Sequence, residues 1–257
     1  GPRVIANVGE NHSDFADSMM LVPAEQYRDP ARFEREIDVV FRRNPLLVAL
    51  SCDIPNAGDF TTLEIADRPV VVVRGEDGVA RTFLNACRHR GRSVAEGCFG
   101  HGRRLTCPYH FWVYDTEGKL VGIPGKEGFA DLDVDGLIEY PTAERAGAVF
   151  ATLTVGATLD IDEWLGDMQS ALEMLNLTKL HRHDVETKLP SGSWKATADG
   201  YLDGYHLGYL HRNTIGGKSI TNRNTYDLYG PHVRIGFANK PILDHRDIPP
   251  AEWPDPY

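Results

Sequence analysis

At 257 residues, with 42% hydrophobic side chains, the chain can bury a substantial core and hold one or two domains. Its net charge of −10, from 27 basic against 37 acidic residues, argues against nucleic acid and anionic membranes as partners. The longest purely aliphatic run, Val70 to Val73, is too short to span a bilayer. Four cysteines in a chain of this size predict no disulfide framework and a reducing, cytoplasmic compartment. Gly1-Pro2 reads as the scar of a protease cleavage.

The first predicted element is a helix entered at Asp29-Pro30, with Asp as N-cap and Pro in the first turn. Phe33, Ile37, Val40 and Phe41 recur at helical spacing, Arg42 and Arg43 suit the C-terminal dipole, and Asn44-Pro45 ends it. Short β runs follow at Leu46–Leu50, Thr61–Ile65, Val70–Arg74 and Val79–Leu84, the last two joined by a turn at Gly75-Glu76-Asp77-Gly78. Leu105–Cys107, Trp112–Asp115 and Lys119–Gly122 extend the pattern, which predicts a small all-β sandwich.

Two segments inside this β region carry chemistry. Cys87-Arg88-His89-Arg90-Gly91 and Cys107-Pro108-Tyr109-His110 each set one thiol and one imidazole two or three residues apart. Two sulfur and two nitrogen donors from two loops are the ligand set of a [2Fe–2S] cluster in which two histidines replace two cysteines on one iron. Cys87 and Cys107 would hold one iron as thiolates, and His89 and His110 the other as neutral imidazoles. Both loops are expected at hairpin tips, where they can converge. A structural zinc takes the same donors, but zinc knuckles usually open on two cysteines and close on two histidines, whereas here each half is mixed. Cys98 lies between the loops without a histidine at the matching spacing and reads as an ordinary loop thiol. Tyr109 and Trp112 are expected to pack over the metal site and keep water away.

Gly125 to Gly136 reads as a surface connection, and Ile138–Thr142 and Ala148–Leu153 return to strand character. Asp160 caps a helix with Ile161, Leu165, Met168 and Leu172 on one face, and Leu180–Leu189 reads as a strand. A helix from about Ser193 then places Asp199, Asp203 and His206 within an arc of about 60°. His211 falls about 140° further around, so the helix must end, bulge or widen before it, which Gly204 and Gly208 make easier. Two histidines and a carboxylate with open positions opposite form the ligand set of non-haem Fe(II) oxygenases. Tyr226–Leu228 and Val233–Phe237 predict a hairpin across Gly230-Pro231.

The flanks Asn85-Ala86-Cys87-Arg88-His89-Arg90-Gly91 and Thr106-Cys107-Pro108-Tyr109-His110-Phe111-Trp112, followed by Asp203-x-x-His206-x-x-x-x-His211, resemble the large (α) subunit of the Rieske non-haem iron aromatic-ring-hydroxylating oxygenases. The family usually has Gly where Phe111 stands. The resemblance implies an α+β chain, with an all-β Rieske [2Fe–2S] domain and the N-terminal part of a helix-over-antiparallel-sheet catalytic domain. The expected division is an N-terminal helical segment at 1–45 packing on the catalytic domain, a Rieske domain at 46–155 and a catalytic mononuclear-iron domain at 156–257.

By the same resemblance His206 and His211 are Fe(II) ligands, and Asp203 is a bridging carboxylate between His206 and the cluster histidine His110 of a neighbouring subunit. Asp199 is a candidate for orienting the iron ligands. The iron's own carboxylate ligand comes from later in such chains. Asp227, Asp244, Asp247, Glu252 and Asp255 stand in no recognisable ligand context, so a partial chain with an incomplete catalytic domain and a weakly held or absent iron is expected.

The implied activity is O₂-dependent hydroxylation of an aromatic small molecule, with cis-dihydroxylation first among the outcomes. Electrons come from NAD(P)H through a separate flavin reductase, with or without a ferredoxin. The implied assembly is a head-to-tail homotrimer, with or without a β subunit. The alternative is a Rieske-type electron carrier without its own oxygenase activity.

Overall fold

The computed structural model of the protein describes residues 2–129, 132–183 and 192–253. The chain divides into two compact units, one of Ala31–Glu186 and one joining Gly1–Pro30 to Thr187–Tyr257.

The first unit opens with the expected helix, Pro30–Glu36, which widens into a π-helical turn at Ile37–Arg42. The Asn44 carboxamide ends it by donating to the carbonyls of Val39 and Val40 at 2.8 and 3.0 Å. The strands are β1 (Leu46–Leu50), β2 (Asp59–Ile65), β3 (Arg68–Arg74), β4 (Ala80–Leu84), β5 (Phe99–His101), β6 (Arg104–Thr106), β7 (Val113–Asp115), β8 (Leu120–Gly122), β9 (Glu139–Tyr140), β10 (Thr142–Arg145) and β11 (Ala148–Ala151). They form antiparallel sheets in the orders β5-β2-β3-β4-β9, β1-β11-β10 and β6-β7-β8. The all-β expectation holds; β5 was not foreseen.

The aliphatic run in β3 is explained by burial on both faces. Side chains alternate along a strand, so Val71 and Val73 enter one core with Phe83, Trp112 and Tyr114. Val70 and Val72 enter another with Val48, Ile54 and Val149. Gly118 closes the β7–β8 turn at φ +84°, and an added Cβ would lie 2.4 Å from the Phe83 ring. Gly118→Ala combines left-handed strain with overpacking and should destabilise this unit by about 3 kcal/mol. Chemical denaturation of the cluster-loaded protein measures it, and a loss below about 1 kcal/mol would contradict the packing described.

Arg74, only 8% exposed, donates to the carbonyls of Ile54 and Gly78 at 3.0 Å each and forks onto Glu144 at 2.5 and 3.0 Å. Ser51 also donates to Glu144. The Arg74 hydrogen bond is the main cause that lowers the Glu144 carboxyl below its ordinary value, outweighing burial. A depressed folded value means stability that is present above the unfolded carboxyl pKa and lost as pH falls through the folded one. Glu144→Gln should therefore flatten the acid limb of the stability–pH curve below about pH 4.5, an effect read by denaturant titration across pH.

The domain boundaries expected at 45 and 155 differ from the edges of the compact units. Thr154 Oγ1 donates to the Arg42 carbonyl at 2.9 Å, tying the first helix to the exit from β11. Ile161 and Leu165 bury against Ala148 and Phe150. Residues 31–45 and 156–183 thus pack with the β unit. The helix capped by Asp160 breaks at Gly166, φ +47°, into Ile161–Leu165 and Met168–Glu173. Residues 180–183 are not a strand, and 184–189 of that expected strand lie outside the described residues.

The second unit holds a long hairpin, β12 (Ser219–Tyr229) and β13 (His232–Asn239), across the expected turn. Helix Pro2–Gly9, which the sequence reading did not foresee, buries Val4 and Asn7. Arg3 anchors it to the hairpin through Asp14 at 3.2 Å and Asp227 at 2.7 Å. A helix at Trp194–Leu202, capped by Ser193, precedes the histidine motif. Among the described residues no helix is long and apolar enough to cross a membrane.

Candidate metal centres

The first Cys/His loop leaves β4 and crosses to β5, which pairs with β2 at the far edge of the sheet. It is therefore not a hairpin tip, contrary to expectation. Asn85 holds it instead: its buried side chain accepts from the amides of Val94 and Ala95 at 2.9 and 3.1 Å and donates to the Ala95 carbonyl at 2.9 Å. The second loop does sit at the tip of the β6–β7 hairpin.

Both loops bend alike. The Cys87 carbonyl accepts from Gly91 N at 2.8 Å, and the Cys107 carbonyl from Phe111 N at 3.0 Å. The residue four past each cysteine is left-handed, Gly91 at φ +74° and Phe111 at φ +57°. Gly adopts this region freely, whereas Phe pays about 1 kcal/mol for it.

Cys87 and Cys107 are buried in one core with Trp112 and Tyr114. The His89 and His110 rings lie 4.5 Å apart. Trp112 stacks on His89 at 5.0 Å and 9°, and Phe129 meets it edge-on at 5.9 Å. Trp112 thus shields the site as expected, but Tyr109 is 58% exposed beside His110. His89 Nδ1 is buried without a hydrogen-bond partner. Burial, then the neighbouring His110 and Arg90, lower its pKa and favour the neutral imidazole.

A buried ring nitrogen with no protein partner, next to two buried thiols, fits a metal ligand. Among the described residues no three His, Cys, Asp or Glu side chains close on a single ion position. A two-iron cluster asks each iron for only a pair of protein donors. Cys52 and Cys98 lie outside the core cluster that buries Cys87 and Cys107, and Cys98 is exposed.

Tyr114 Oη lies 3.3 Å from Cys87 Sγ and accepts from Arg88 N at 3.0 Å. Burial, then the bond to Cys87, raise the phenol's pKa, so it stays protonated and is the donor once Cys87 binds a metal as a thiolate. A hydrogen bond to a cluster sulfur raises the potential. Tyr114→Phe should lower the reduction potential by about 50 mV, the one-electron equivalent of roughly 1 kcal/mol. Redox titration followed by EPR would show it, and an unchanged potential would remove Tyr114 from this role.

In the second unit the expected continuous helix stops at Leu202, and Asp203 is extended at φ −95°, ψ 117°. The single helical face carrying Asp199, Asp203 and His206 does not form. Asp203 ends the helix itself, because its Oδ1 accepts from Tyr205 N at 2.6 Å. A 3-10 turn follows at Tyr205–Gly208. That break delivers what a straight helix could not: the His206 and His211 rings come within 5.3 Å. Asp203 Oδ2 lies 3.0 Å from His206 Nδ1. Burial raises the Asp203 pKa, but the bonds from the Tyr205 amide and from His206 outweigh it, and the carboxyl is held below its ordinary value.

Asp199 accepts from the Tyr27 phenol at 2.6 Å. Asp227 is taken by Arg3 and Arg234 at 2.7 Å each. Asp255 lies outside the described residues. Asn224 escaped the sequence reading: it is 5% exposed, and a Cβ on Gly204 would meet its Nδ2 at 2.0 Å. No motif marks it, since it reaches the site from β12.

Known proteins match both parts of the chain. Residues 44–141 match the model of the Rieske [2Fe-2S] domain, and 177–257 that of the ring hydroxylating alpha subunit catalytic domain. The carnitine monooxygenase oxygenase subunit of Escherichia coli is 35% identical over 79% of this chain and 55% of its own length. The anthranilate 1,2-dioxygenase large subunit of Acinetobacter baylyi is 30% identical over 77% of this chain and 44% of its own. The structure of naphthalene 1,2-dioxygenase from Rhodococcus superposes at TM-score 0.66 and 30% identity, covering 77% of this chain and 48% of that one. A quaternary ammonium Rieske monooxygenase superposes at 0.78 and 24% identity, over 85% and 62%.

The chain spans about half the length of the curated relatives it matches. A cluster-type pair of Cys/His loops followed by a His-x-x-x-x-His turn, with the two domain matches in the same order, implies a Rieske cluster and a mononuclear iron, and the chain belongs to the Rieske oxygenase large (α) subunits.

Proposed function

We propose that this chain belongs to the oxygenase component of a multicomponent Rieske oxygenase that hydroxylates an aromatic small molecule, with cis-dihydroxylation as the outcome. The carrying observation is that one chain holds both donor sets: the buried Cys87/Cys107 and paired His89/His110, and the His206–His211 pair with Asp203 bonded to it. When bound, the cluster supplies single electrons and the iron supplies O₂ activation.

Cys87, Cys107, His89 and His110 would hold the cluster, while Trp112 and Phe129 keep water from its histidine side. His206 and His211 would hold the iron, and Asp203 orients His206 through Nδ1. The domain assignment follows: a Rieske domain within 46–155 and the start of a catalytic domain carrying Asp203. Asp203 also meets His110 of a neighbouring copy, in a head-to-tail trimer of the kind a closing heterologous interface produces. A flavin reductase, with or without a ferredoxin, supplies electrons.

A second reading is monooxygenation of a quaternary ammonium compound, favoured by the 35% identity to a carnitine monooxygenase subunit. The match over 177–257 favours either reading over a pure electron carrier. The test offers the reconstituted protein, with a reductase, ¹⁸O₂ and a panel of arenes, carnitine and glycine betaine. A doubly labelled cis-diol is expected. Release of a tertiary amine would establish the second reading, and no label in any product would remove both.

A further inference from the structure

Phe111 carries two local costs. It is an L-residue at φ +57°, in the position where the matching loop has Gly91, and its ring is 63% exposed. Neither the fold nor the donor set uses that ring, and glycine would satisfy the backbone better. Tyr109, also exposed, stands on the other side of His110.

The second unit contains a receiving shape. A hollow of about 770 Å³ lies beside Asp203, walled by Phe15, Tyr205 and Leu228, with Asn224 among its lining residues. Phe15 and Leu228 are 81% and 79% exposed, so the hollow is bordered by apolar surface. Asn224 Oδ1 is buried there without a partner. Arg88 and Arg90 are exposed on the first cluster loop, while the Asp203 carboxylate lines the hollow and is complementary to them; Asp14, also there, is already paired with Arg3. Arg223, also at its edge, is engaged by Asn11.

We propose that Phe111 is an anchor for self-assembly, its ring seating in the Asp203 hollow of a second copy of this chain. The inference rests on the His110–Asp203 junction proposed above. A contact between those two residues leaves the adjacent Phe111 about one Cα step, roughly 3.8 Å, from the hollow's rim. An aromatic ring entering an apolar pocket at the centre of a contact is the usual form of an interface hot spot.

The test is sedimentation equilibrium of the cluster-reconstituted chain over a concentration series. Phe111→Gly should raise the self-dissociation constant about tenfold or more, with the Rieske EPR signal intact and the melting temperature equal or higher. Leu228→Arg, at an exposed wall of the hollow, should weaken association similarly, and the double variant should lose less than the two losses combined. Wild-type association that Phe111→Gly leaves unchanged overturns the anchor alone. Additive losses overturn the pairing of Phe111 with the hollow. Weakened binding of the electron donor with unaltered self-association assigns the ring to that partner instead. Absence of any wild-type association overturns the anchor and the junction together.

Discussion

Asp203→Asn should leave the [2Fe–2S] EPR signal at full amplitude and lower turnover about 100-fold or more. The amide keeps the shape, and its oxygen can still accept from Tyr205 N, so the turn should survive. What changes is the other oxygen, 3.0 Å from His206 Nδ1. An NH₂ group there faces the ring nitrogen as a donor, and the charge that holds the imidazole's tautomer is gone. Losing the carboxylate partner of a ligating histidine costs roughly 10–100-fold by itself. The proposed bond to the partner's cluster histidine is lost as well. Rapid mixing of the reduced protein with O₂ and substrate measures the electron-transfer rate directly. A wild-type rate in this variant would falsify the role given to Asp203.

Gly204→Ala should strip the mononuclear iron while sparing the cluster. Its φ of −91° is open to any residue, so the effect is one of space. The new Cβ would lie 2.0 Å from Asn224 Nδ2 and 2.8 Å from its Cγ. Asn224 cannot retreat easily, because it is buried and its backbone is fixed by the bonds its main-chain carbonyl accepts from Asn7 Nδ2 and Asp14 N, each at 3.3 Å. The collision is absorbed by the Asp203–His206 turn, which must shift by about 1 Å to restore contact distance. A displacement of that size ruins a site needing placement within about 0.5 Å, and iron affinity should fall about 100-fold. Chelator competition and iron analysis read the loss, with the cluster's visible absorbance as the internal control. Full iron occupancy at wild-type affinity would contradict the packing of Gly204 on Asn224.

Much of the β unit was legible because its strands are short, alternating and separated by turn residues. Val70–Arg74 and the Gly75–Gly78 turn are local signals and were placed correctly. β5 was not, since Phe99-Gly100-His101 has no alternation and is a strand only because β2 offers it an edge. The histidine motif was legible in composition but not in conformation. Helical spacing placed Asp203 on a helix face, whereas a side chain accepting from the amide two residues on makes it the helix terminator. Helix Pro2–Gly9 was missed because Asp227, which anchors it to β12 through Arg3, lies far along the chain from its own sequence signal.

The sequence alone determined which chemistry the chain can hold, because donor type and spacing near a metal are covalent facts: Cys87, His89, Cys107 and His110 in two loops, and His206 and His211 five residues apart. Only the tertiary structure decided how those donors are presented. It carried one loop across a sheet instead of around a hairpin, left His89 Nδ1 buried without a partner and set Asn224 against Gly204. Such outcomes depend on which distant side chains share a volume, and spacing along a chain carries no record of that.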